Sequence, residues 1–175
     1  MAVARRLPWV GTTEPTVATG LVLGDLWSDT NTTPAITKTC TAVDPVTFVS
    51  IRRGVQVVVV DFTTDVATGD GQFYFHVDSS LNGMNLVDVH AEVITAGTTG
   101  TTNIQIRNVT DSQDMLSTVI TIDSTETGSD TGATPAVINT TYDDVATNDV
   151  IAIDVDAVST TAPKGLIVTM GFQLP

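Results

Sequence analysis

Residues 55–77 constrain this chain more than any other stretch. They read VQVVVVDF, then TTDVATGDG, then QFYFHV. The first run is apolar and β-branched without alternation, which predicts a strand buried on both faces. The middle run is turn chemistry, rich in Thr, Asp and Gly. The third alternates, with Phe73, Phe75 and Val77 on one face and Gln72, Tyr74 and His76 on the other, the pattern of a half-buried strand. Two such runs joined by a turn commit the chain to a sheet.

The rest of the chain after residue 54 repeats this plan. Strands are expected at 55–62, 71–78, 86–95, 102–109, 115–122, 135–139, 149–157 and 165–174. In LVDVHAEVI, Val87, Val89, Ala91 and Val93 oppose Asp88, His90 and Glu92. In TNIQIRN, Ile104 and Ile106 oppose Asn103, Gln105 and Arg107. In VIAIDVD, Ile151, Ile153 and Val155 oppose Ala152, Asp154 and Asp156, and Leu166, Val168, Met170, Phe172 and Leu174 share a face near the end. Eight short alternating strands separated by turn clusters predict an all-β fold, an antiparallel β-sandwich of jelly-roll type. No window shows helical apolar spacing. DVATGD at 65–70 and DVATND at 144–149 are near copies, differing where Gly69 or Asn148 stands; both tolerate a left-handed backbone, so one tight turn used twice is expected.

Residues 1–53 differ in kind. Residues 1–23 carry Pro8, Pro15, Gly11 and Gly20 with no clean period, and predict an extended arm with two readings of equal weight: one that orders on a partner, with Trp9 as its anchor, and a loose terminus. Residues 24–53 predict a small β-hairpin module around Leu26, Trp27 and Phe48, with too few core residues to stand alone. The expected division is therefore 1–53, an arm and hairpin module for attachment and oligomerisation, and 54–175, the sandwich. Charge divides at the same place: net +1 over residues 1–53 and −14 over residues 54–175. An acidic surface repels phosphate, so no nucleic-acid partner is expected. VQVVVV is too short to span a membrane, and MAVARRLPWVG lacks the apolar core of a signal peptide. The single cysteine, Cys40, leaves no internal disulfide and is read as a small buried hydrophobe.

Catalytic signatures are scarce. No phosphate loop, GxSxG or spaced Ser/His/Asp set occurs, so no enzyme activity is expected. His76 and His90 fall on polar strand faces without further metal ligands, and predict a solvated or interface role. Asp65 and Asp70, and Asp143, Asp144 and Asp149, are oxygen ligands of the kind calcium takes. Solvated turn acids explain them better than a calcium site does, so no cofactor is expected. Of nine aromatics, Tyr74 and Tyr142 are the candidates for facing a ligand.

GDLWSDT followed by KTCTAVDPVTFVSI resembles a short module of bacteriophage tail-fibre and appendage proteins, with Trp27 and Phe48 at its aromatic positions. ATGDGQFYF, LNGMNLVDVHA, DMLST and KGLIVTMGFQLP also resemble terminal domains of phage virion proteins. Together these cover about residues 24–175. The resemblance implies a virion structural protein of the fibre, tail-appendage or capsid-decoration type, a homotrimer with a jelly-roll head. The charge division adds an orientation: the net +1 N-terminal segment is expected to join other virion proteins and the net −14 sandwich to face outward. A carbohydrate-binding module recognising host surface glycan is the alternative, and a secreted polysaccharide hydrolase a third reading.

Overall fold

The computed structural model of the chain describes residues 9–11, 26–29, 36–43, 46–50 and 52–175. Among the described residues all regular elements are strands. The chain divides into two compact units, residues 1–52 with 174–175, and Arg53–Gln173.

In the first unit, β1 (Trp9–Gly11), β2 (Leu26–Asp29), β3 (Ile36–Val43) and β4 (Val46–Ser50) form one sheet in that order. The expected hairpin pairs β3 with β4 and sets Cys40 opposite Phe48. β2 joins antiparallel to β3, with Trp27 opposite Lys38. Part of the arm lies among the described residues. Its Trp9–Gly11 segment pairs in parallel with β2 of the same chain, Trp9 opposite Trp27, so this part of the arm finds its backbone partner within the chain. The rest of residues 1–23 lies outside the described residues. Trp27 and Cys40 are buried, at 3% and 2% exposed, and the Lys38 ammonium stands 5.0 Å from the centre of the Trp27 ring, within cation–π range.

The second unit is a β-sandwich. One sheet runs β6 (Gly69–His76), β14 (Val150–Ala157), β8 (Thr102–Asn108), β11 (Ile120–Ile122); the other runs β5 (Arg53–Asp65), β15 (Lys164–Gln173), β7 (Met84–Glu92), β13 (Asp144–Val145). Ranked along the chain among these eight, the orders are second–seventh–fourth–fifth and first–eighth–third–sixth. Every pair nests inside the previous one, so the chain is a long hairpin rolled up, which is a jelly roll. Short strands β9 (Gln113–Asp114), β10 (Leu116–Thr118) and β12 (Val137–Ile138) add to its flank; β9 pairs β8, and β10 pairs β12. The alternation read from the sequence sets the core. Ile104, Ile106, Ile151, Ile153, Leu166, Val168, Met170 and Phe172 all have no exposed surface.

Four expectations need correction. VQVVVV is not buried on both faces: β5 is a sheet edge, none of its residues is buried, and Val58 is 47% exposed. Its pairing with β15 slips between Leu166 and Ile167, so the valine run accommodates a bulge rather than two apolar faces. In β7 a similar slip places Leu86 opposite Phe172, and Leu86 rather than Val87 fills the core. The stretch 115–122 is two strands, not one, because Leu116 pairs outward with Ile138 while Ile120 pairs with Ile104. The repeated DVAT sequence makes two geometries. Asn148 takes a left-handed backbone (φ 80°) whereas Gly69 sits at φ 157°. Val66 and Val145 are both buried, but only the second copy is closed by its own aspartate, Asp149, which accepts from the Ala146 N–H at 2.8 Å.

Candidate functional site

The outer face of the β6–β14–β8 sheet carries a cluster of polar side chains. Alternation puts Gln72, Tyr74 and His76 of β6, Ala152, Asp154 and Asp156 of β14, and Asn103, Gln105 and Arg107 of β8 on this face. Register then aligns Tyr74, Ala152 and Arg107 across three strands. Ala152 lies between them with no exposed surface. Tyr74 itself is 54% exposed. Its ring leans along β6 over Gly71, where a β-carbon would strike the ring and its hydroxyl. Gly71 also has a left-handed backbone (φ 62°), so two constraints demand glycine there.

Asp154 organises this face. Only 4% exposed, it accepts from the Gly71 N–H at 2.5 Å and from Arg107 Nε at 2.8 Å. The bond to Asp154 is the main reason the Arg107 guanidinium is held more strongly protonated than usual. Asp156, next on the same face, has its pKa raised, first by desolvation and then by Asp154, Asp114 and Asp70. Two carboxylates thus stand in contrasting surroundings, one ion-paired and one crowded by like charge.

Tyr142 stands elsewhere, on a hollow of about 220 Å³ lined by Asn108, Asp111, Gln113, Tyr142 and Asp144. Asn108, 2% exposed, rivets its floor. Its Oδ1 accepts from the Thr110 and Asp111 N–H groups, and its Nδ2 donates to Asp111 Oδ2 and Asp149 Oδ2, both at 3.0 Å. Asp144 is held by the pairing of β13 with β7.

A second hollow, of about 480 Å³, is lined by His90, Glu92, Glu126, Asp130 and neighbouring threonines. His90 Nδ1 lies 2.8 Å from Asp130 Oδ1 and 3.0 Å from Ser129 Oγ. Serine and aspartate meet the same ring nitrogen, whereas a relay needs them on opposite nitrogens. The acidic turns named from the sequence are tied into protein contacts: Asp65 pairs with Lys164 at 2.7 Å, Asp143 accepts from Asn85, and Asp149 from Asn108 and Ala146. Among the described residues no group of three or more His, Cys, Asp or Glu is arranged to hold a metal ion.

Of the residues singled out from the sequence, Leu26 and Trp27 share β2, and Trp9 and Phe48 flank that sheet on β1 and β4; the side chains of Trp9 and Phe48 lie outside the described residues. Tyr74 and Tyr142 occupy separate surfaces. Arg107, Asp154, Asn108 and Gln113 were not singled out as site residues. Arg107 carried one available signal, being one of only two basic residues after residue 53.

Comparison with known protein families, with curated proteins and with solved structures finds no match.

Proposed function

We propose that this protein is a non-enzymatic structural component of a bacteriophage particle, a fibre, tail-appendage or capsid-decoration protein. In this reading residues 1–53 attach and oligomerise it, as a homotrimer, and the sandwich points outward. The observation that supports it is the junction of two unlike units: a small four-stranded sheet built on the GDLW segment, with Trp27 buried, and an acidic jelly roll. So small a sheet gains stability from copies of itself or from another surface. An acidic outer unit keeps neighbouring particles apart by charge repulsion, more weakly in salt. Particles assembled with a chain lacking residues 1–23 test this. The truncated protein is expected to remain a folded oligomer in light scattering and to be missing from purified particles. Normal incorporation, or a monomeric full-length chain, overturns the reading.

A second reading, recognition of a host surface glycan, is favoured by the exposed Tyr142 beside carboxylates and an amide in one hollow. Jelly rolls serve in capsid and lectin domains alike, so the fold accommodates both roles on one chain.

A further inference from the structure

We infer that the Tyr142 hollow is a binding site for a neutral pyranose, held by stacking on Tyr142 and by hydrogen bonds to Asp111, Gln113 and Asp144. This deepens the glycan reading and rests on it; attachment to a particle does not depend on it. An aromatic ring 41% exposed beside a polar hollow offers an apolar face to the C–H face of a sugar and leaves the polar groups to its hydroxyls.

The polar wall is mixed, and the mixture selects the ligand. Asp111 and Asp144 are acceptors for hydroxyl donors, while the Gln113 amide both donates and accepts. Asp111 spends Oδ2 on Asn108, which leaves Oδ1 for a ligand. A polyol uses donors and acceptors together. A simple cation would use the carboxylates and the ring face but leave the Gln113 amide donor facing it. Acidic sugars are excluded by the two carboxylates and by the −14 charge of residues 54–175.

The wall is also held in place before a ligand arrives. Asn108 fixes Asp111 through the 108–111 turn, the β8–β9 pairing sets Gln113 opposite Asn108, and β13 carries Asp144. The Tyr142 N–H donates to Asn139 O at 2.8 Å. Side chains mounted on paired strands and a closed turn lose little freedom on binding.

Saturation-transfer NMR on the full chain tests the site, with methyl glycosides of glucose, galactose, mannose and N-acetylglucosamine as probes and choline as the cationic control. At least one glycoside is expected to bind with a dissociation constant on the order of 1 mM, ordinary for a single open subsite. Tyr142→Ala should abolish the signal, Tyr142→Phe should keep it within about twofold because stacking needs the ring, and Gln113→Ala should weaken it about fivefold. Gln113 is half-buried on the rim, so its variant remains informative if Tyr142→Ala fails to fold. Transfer to none of the glycosides, binding unaffected by both Tyr142→Ala and Gln113→Ala, or binding of choline alone each overturns the assignment.

Discussion

Arg107 Nε donates to Asp154 Oδ2 at 2.8 Å, joining the fourth and seventh strands of the roll across 47 residues of sequence. Asp154 is nearly buried and Arg107 is about one-third exposed, so the pair is asymmetric. The aspartate has given up water, and the arginine has kept part of it. Removing the arginine therefore costs more than the pair contributes as a surface bridge.

Arg107→Met is expected to destabilise the sandwich by about 2–4 kcal/mol in urea unfolding, since Asp154 keeps only the Gly71 N–H as a partner. Adding Asp154→Asn removes the stranded charge and should recover a large part of that loss. Equal losses in the single and double variants would show that the charge is not the cause.

Asp156 and Asp61 respond to acid in opposite senses. Desolvation and neighbouring carboxylates raise the pKa of Asp156 above its ordinary 3.8, so the fold binds a proton there more tightly than the unfolded chain does. Stability from this group falls as pH rises from 3.8 through the raised value, and at neutral pH its ionised form is a liability. Asp61 is held low, first by the Thr63 N–H and then by the Thr63 hydroxyl, so its contribution is present above 3.8 and is lost as pH falls through its folded value. Asp156→Asn should accordingly raise the Tm at pH 7 and leave it unchanged near pH 3. A gain that is the same at both values would exclude the electrostatic cause.

Gly71→Ala is expected to cost roughly 1–3 kcal/mol, because an alanine there is both left-handed and set against the Tyr74 ring. Tyr74→Ala on its own should be mild. In the double variant the steric part should vanish and the backbone part remain, so the two substitutions will not add. Strict additivity in thermal unfolding would place the Tyr74 ring elsewhere.

Trp27→Ala should cost about 3–5 kcal/mol where it acts, as for other buried tryptophans. The small sheet cannot absorb that loss, whereas the sandwich has its own core. Under the proposed oligomeric role, the expected outcome is weakened assembly in light scattering with the sandwich melting transition preserved. Residues 53–175 made alone should then fold, showing a cooperative transition by circular dichroism. An unfolded fragment would place the boundary wrongly.

Alternation alone was enough to place Ile104, Ile106, Ile151, Ile153, Val155, Leu166 and Phe172 in a β core, because side chains on a strand alternate whatever the strand pairs with. The all-β class and most strand positions followed from that local rule. What the rule does not contain is which strand lies beside which. Whether VQVVVV is a central or an edge strand depends on β15 pairing with it on one side and nothing in the second unit pairing on the other. The short strand Asp144–Val145 reads locally as turn, and becomes a strand only because Asn85 and Met84 of β7 lie opposite. The same holds for the polar sites. Asp154 was legible as an outward residue on an alternating strand. That it is buried follows from its packing against Gly71 and Arg107, residues 83 and 47 positions away. Asn108 falls on the inward face with Ile104 and Ile106, an odd place for an amide, and its role at the floor of the Tyr142 hollow exists only where β8 and the turn before β14 bring it against Asp149. Period along a strand is a property of the backbone and is written in the sequence. Sheet order and the depth of a charge are properties of contacts between distant segments, and only the rolled-up chain sets them.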